Sequence, residues 1–248
     1  MVSRAGPGGG ASDRPIPPLD EPTGWRGVAA RECGEPLVAL TDYAPDRIAV
    51  DARYHAAGYP GALPDCYARV GVARRLAAAA ALLPAGWRLV VFDAWRPQTV
   101  QRHLFDRYLA DLRREQPEAS DAALRALAAR YVAPPSADAA HPSPHATGGV
   151  VDLSLLDASG ALVPMGTAFD AFEARAYTRY FEERREADEP LTLAEEGCLR
   201  NRRILFHALR RVGFTNYPAE WWHYEYGGSR YGPLCGLEDW QAAGERQG

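Results

Sequence analysis

Trp87-Arg-Leu-Val-Val-Phe-Asp-Ala-Trp-Arg-Pro97 decides how the rest of the chain is read. Leu89 to Phe92 is a short β-branched and apolar run closed by turn residues on both sides, which predicts a central strand. Asp93-Ala-Trp-Arg96 ends it. Pro97 suits the first position of the helix that follows, where its missing N–H has no helical partner to lose. Val100, Leu104, Tyr108 and Leu112 recur at the spacing of one helical face.

Reading outward, Asp65–Leu83 is Ala-rich and predicts a buried helix closed by Pro84-Ala-Gly86. Ala122–Tyr131 predicts another. Val150-Val-Asp-Leu-Ser-Leu155 alternates as a strand does, with Val151 and Leu153 on one side and Asp152 and Ser154 on the other. Asp157-Ala-Ser-Gly160 then turns the chain. Ala168–Glu186 is expected to be helical or partly irregular, and Cys198–Arg211 an amphipathic helix stopped by Gly213. Trp221–Tyr226 is the last strand candidate. Helices and strands mix without regular βαβ alternation, so the expected class is α+β. The expected architecture is a single domain over residues 25–248, with a central, mainly antiparallel sheet flanked by helices. Residues 1–24 are Gly/Pro-rich, lack the apolar stretch of a signal peptide, and are expected to be a disordered tail.

Composition narrows the function classes. The net charge of -4, from 32 acidic and 28 basic residues, gives no electrostatic reason to expect nucleic acid as a partner. No apolar run reaches the roughly 20 residues of a membrane span, so no membrane is expected and the cytoplasm is the simplest location. Cys33, Cys66, Cys198 and Cys235 show no metal-binding spacing and read as isolated thiols, with one bridged pair left open. Nothing in the sequence sets the oligomeric state.

Two distant stretches carry the chemistry: Ser143-Pro-His145-Ala-Thr-Gly148-Gly-Val-Val-Asp152 and Glu220-Trp-Trp-His223. Two imidazoles and a carboxylate make a three-ligand zinc site with one open position, at metal–ligand distances of roughly 2.0–2.2 Å. Asp152, on the polar side of an otherwise apolar strand, needs a partner, and a cation is the strongest available. Glu220 and His223 are three apart, so only a turn just before the last strand brings both to one site. Glu220 then has the place of a general base for zinc-activated water. The remaining histidines, His55, His103, His141 and His207, read as ordinary surface or core residues.

These motifs resemble the zinc peptidases that cut D-amino-acid peptides of bacterial cell walls, and within them the D-Ala-D-Ala dipeptidases of the VanX type. Asp93-Ala-Trp-Arg96-Pro97, Pro164-Met-Gly-Thr167-x-Phe169-Asp170, Asn201-Arg-Arg203 and Glu220-Trp-Trp-His223 carry the likeness, in order, from about Leu37 to Tyr226. The resemblance implies one Zn2+ per chain held by His145, Asp152 and His223, with Glu220 as general base. It implies that Arg96 stabilises the oxyanion. Asp93 is expected to orient Arg96, Ser143 to contact the substrate, and Asp170 to hold the substrate's free ammonium group. The implied reaction is hydrolysis of the free D-Ala-D-Ala dipeptide to two D-alanines. A D,D-carboxypeptidase acting on peptidoglycan stem peptides is the alternative on the same scaffold. A non-haem iron oxygenase and a non-catalytic zinc-binding module are the others.

Overall fold

The computed structural model describes residues 10–20, 29–226 and 235–236. In chain order the elements are β1 (Arg31–Glu32), β2 (Leu37–Ala39), α1 (Leu40–Tyr43), β3 (Ile48–Val50), α2 (Arg53–Ala56), β4 (Tyr67–Arg69) and α3 (Val70–Ala80). Next come β5 (Arg88–Asp93), α4 (Gln98–Glu115), α5 (Asp121–Tyr131) and β6 (Val150–Leu156). The chain continues through α6 (Tyr180–Glu186), α7 (Leu193–Arg211), β7 (Thr215–Asn216), β8 (His223–Glu225) and β9 (Cys235–Gly236).

The centre is a five-stranded sheet in the order β3-β5-β6-β8-β7. Only β3 and β5 run parallel; the other neighbours are antiparallel. The expected α+β class and mainly antiparallel sheet are therefore observed. Leu89, Val90, Val91 and Phe92 of β5 are all buried, as are Val151, Leu153 and Leu155 of β6. Together with Leu76 of α3 and Leu205, Phe206 and Leu209 of α7 they form the main core. α4 and α5 pair through a smaller core of their own, Phe105, Leu109, Leu112, Leu124, Ala128 and Val132.

Strand register brings the site together. Asp93 at the end of β5 pairs with Asp152 of β6, and Asp152 pairs with His223 of β8. The register shifts between Val91 and Asp93, an irregularity that re-aims side chains at a strand end.

Several expectations shift. The predicted helix over Asp65–Leu83 begins only at Val70, because Tyr67–Arg69 pairs antiparallel with Leu37–Ala39, a partner nearly thirty residues away that local Ala content does not reveal. The helix predicted from Cys198 starts at Leu193, where Thr192 and Glu195 form a capping box. Of Ala168–Glu186, only a 3₁₀ turn at Ala174–Ala176 and α6 are helical.

The disordered-tail expectation is corrected for residues 10–20; residues 1–9 and 21–24 lie outside the described residues. Ile16 is buried in the main core, and its N–H donates to Glu182 Oε1 at 2.8 Å. Glu182 forms a buried bidentate pair with Arg203. A lone apolar residue in a Gly/Pro-rich stretch carries no periodic signal, yet one well-placed isoleucine is enough to seat the segment. Cys66 and Cys198 are buried free thiols, whereas Cys33 is disulfide-bonded. Among the described residues no helix is long and apolar enough to cross a membrane.

Candidate active site

Each site residue is placed by backbone structure built elsewhere. Pro144–Thr147 forms a 3₁₀ turn that ends on Gly148 at φ 72°. A Cβ at Gly148 would lie 2.7 Å from Leu37 Cδ2, so both the left-handed backbone and the close approach require glycine. Arg69 pins this turn from outside by donating to Thr147 O, while its own N–H donates to Gly148 O. His145 is thereby aimed at β6.

His145 Nδ1 is 2.8 Å from Ala94 O. A carbonyl only accepts, so Nδ1 carries the hydrogen and Nε2 presents its lone pair toward Asp152, 3.3 Å away. His223 Nδ1 lies 3.0 Å from Asp152 Oδ1. One ligand atom from each of the three residues lies within 4.8 Å of the others, and all three side chains are buried.

This donor set fits a divalent cation. Two imidazoles and a carboxylate suit zinc, and the backbone carbonyl on His145 and the Glu225 carboxylate on His223 (3.0 Å from Nε2) are the partners that metal-bound histidines normally have. Burial works against ionising Asp152, but His145, His223 and Arg96 hold its carboxyl below the usual range. Burial likewise pulls the His223 imidazole down, yet its bonds to Asp152 and Glu225 hold it up to about 9. The pocket is thus organised around positive charge.

Glu220 reaches the same place through the predicted turn. Its N–H donates to Tyr217 O and its carbonyl accepts from His223 N–H. Asn216 clamps the turn by donating from Nδ2 to the carbonyls of Glu220 and His223. Glu220 Oε2 stands 3.5 Å from His223 Nδ1. Trp221 and Trp222 are buried behind it, with Trp221 donating to Thr167 Oγ1 at 2.8 Å.

Arg96 donates from Nε to Asp93 Oδ2 at 2.8 Å and from Nη1 to Gln101 Oε1 at 2.9 Å. Its Nη2 is 3.3 Å from Asp152 Oδ2, and Tyr54 lies under the guanidinium, 4.9 Å from ring centre to Cζ. Tyr54 in turn donates to Asp170 Oδ2 at 2.8 Å. Asp170 has φ 60°, a left-handed conformation uncommon outside glycine. Burial, and secondarily Asp152, push its carboxyl up to about 7.

A cleft of about 490 Å³, open mouth included, joins these groups. One wall is polar: Arg96, His145, Asp152, Asp170, Glu220 and His223. The other includes Leu104, Tyr131, Val132 and Phe172. Ser143 is not among the lining residues; its hydroxyl donates to Pro134 O at 3.0 Å and secures the loop before His145. Tyr54, Gln101, Glu225 and the apolar wall escaped the sequence reading. Glu225 alone had a legible signal, since a residue two along a strand from His223 shares its face.

The model of the D-Ala-D-Ala dipeptidase family of peptidases matches residues 56–234, most of the chain. The chain belongs to that family. Membership makes it a metallopeptidase. A D-alanyl-D-alanine dipeptidase of Synechocystis is 28% identical over 227 residues, covering 87% of this chain and 89% of that protein. One from Escherichia coli is 27% identical over 141 residues, covering 57% and 56%. Among solved structures, the zinc complex of VanY, a vancomycin-resistance D,D-pentapeptidase, has a TM-score of 0.38 and 18% identity over 72% of this chain and 85% of that one. That last likeness is too low to bear on fold or activity.

Proposed function

We propose that this protein hydrolyses the free dipeptide D-Ala-D-Ala to two D-alanines, with one zinc ion held by His145, Asp152 and His223. The observation that carries the reading is the convergence of Glu220 and Arg96 on the buried His-Asp-His triad within one cleft. A bound zinc supplies Lewis acidity and lowers the pKa of water to about 7.

The chain's own groups do the rest. Glu220 is the base that takes the proton of the attacking water and returns it to the leaving amine. Arg96 is fixed by Asp93 and Gln101 before substrate arrives, so its guanidinium stabilises a developing oxyanion without reorganising. The buried carboxylates beside Arg96 keep it charged. Asp170 is the group for the substrate's ammonium: a carboxyl that burial makes reluctant to ionise gains most from an arriving cation.

Both family membership and the dipeptidase names of the relatives support the free dipeptide over a stem peptide. The cytoplasm, where such a dipeptide is available, is the proposed location; the disulfide at Cys33 points the other way, because such bonds persist in oxidising compartments. Cell fractionation decides between them.

The test is amine release by zinc-loaded protein from D-Ala-D-Ala, L-Ala-L-Ala and an acylated D-Ala-D-Ala peptide. Only the free D,D-dipeptide should be cleaved. Glu220→Ala should keep its zinc and lose turnover by about 10²–10⁴-fold. Cleavage of the acylated peptide instead would make the protein a carboxypeptidase, and unchanged turnover in the variant would remove Glu220 as the base.

A further inference from the structure

We propose that Glu225 is a positioning residue for the metal centre, holding the His223 ring in the one orientation that points Nδ1 at Asp152. The inference rests on the zinc reading of the triad and adds a residue that takes no part in the triad itself.

Glu225 is fully buried, and its Oε1 lies 3.0 Å from His223 Nε2. The two residues lie two apart on β8 and project to the same side of it. Their backbone is fixed on both flanks: β8 pairs with β6 and with β7, and Thr215 Oγ1 donates to Glu225 O. The carboxylate therefore has little freedom to leave the imidazole.

The geometry gives this bond a specific consequence. Rotating the ring by half a turn about Cβ–Cγ exchanges Nδ1 with Cδ2 and Nε2 with Cε1. The flipped ring would offer carbon to the metal position and carbon to Glu225. A hydrogen bond at Nε2 is broken by that flip, so Glu225 opposes it directly. The same bond keeps hydrogen on Nε2 and frees the Nδ1 lone pair for coordination. His145 is locked equivalently from the other nitrogen, by the Ala94 carbonyl on Nδ1. The two histidines are thus held through opposite nitrogens, His145 through Nδ1 by the Ala94 carbonyl with Asp93 Oδ2 also 3.0 Å away, and His223 through Nε2 by Glu225.

The experiment measures zinc affinity by competition with a chromophoric chelator, and the visible absorption of the cobalt-substituted protein, for wild type, Glu225→Gln and Glu225→Asp. Glu225→Gln keeps an acceptor at the same reach without charge; Glu225→Asp keeps charge without reach. The Asp variant should bind zinc about 10–100-fold more weakly and show an altered cobalt spectrum, while Gln stays within about threefold of wild type. Unfolding of the metal-free proteins checks that each variant is folded; should Asp fail to fold, Glu225→Ala, which removes the acceptor altogether, takes its place with the same expected loss. Equal affinity in wild type and Asp, or equal losses in Gln and Asp, would overturn the positioning role. A wild-type protein that binds no zinc would instead sink the metal reading, a distinguishable result.

Discussion

Arg96 and Asp170 show how single side chains are tuned by what surrounds them. Arg96 faces Asp93, Asp152 and Tyr54, so its charge is secure. Asp170 faces the opposite situation, a buried carboxyl near another carboxylate, and is pushed up to about 7 against about 3.9 in an unfolded chain. The fold thus favours its protonated form. That contribution to stability is fully present below about pH 4, declines as the pH rises through about 7, and is absent above. In the metal-free protein Asp170→Asn should match wild type near pH 4 and exceed it at pH 8 by about 1–3 kcal/mol, measured by urea unfolding. A pH-independent difference would contradict the buried-carboxyl account.

Among the elements, α7 and the α4–α5 pair do different work. α7 lays Leu205, Phe206 and Leu209 into the main core and starts at a capping box, with Thr192 Oγ1 accepting from Glu195 N–H and Glu195 Oε2 accepting from Thr192 N–H. That return bond from the Thr192 backbone heads the causes that lower the Glu195 carboxyl to about 2. Thr192→Ala should cost about 1 kcal/mol of stability and leave turnover per folded molecule unchanged, since the cap touches nothing in the cleft. α4 and α5 pack on a core of their own and turn Leu104 and Tyr131 toward the cleft, and Phe172 of the same wall packs tilted against Tyr108, ring centres 4.7 Å apart.

For the whole molecule, the N-terminal segment is part of the domain. Ile16 fills the core, Arg179 and His207 donate to backbone carbonyls of the segment, and Arg203 joins it to Glu182. Ile16→Ala should lower unfolding stability by about 2–4 kcal/mol, with the urea midpoint as readout. A variant as stable as wild type would mean that the segment merely lies against the surface.

The two central strands, the amphipathic α7 and the members of the His145-Asp152-His223 cluster were legible in the chain, because each rests on local chemistry: apolar runs, helical periodicity, or ligand types at fixed spacing. The turn before His223 was legible for the same reason, since a strand cannot place Glu220 and His223 on one side. Other features depend on partners distant in sequence. Tyr67–Arg69 is a strand only because Leu37–Ala39 is there to pair with it. Tyr54 reaches Arg96, and Gln101 reaches it from α4, only once the sheet has closed. Ser143 points to Pro134 because that carbonyl lies within reach. Sequence determined which atoms could bind a metal and activate water; the folded chain decided what holds those atoms still, because orientation comes from packing and from hydrogen bonds whose two ends the sequence keeps apart.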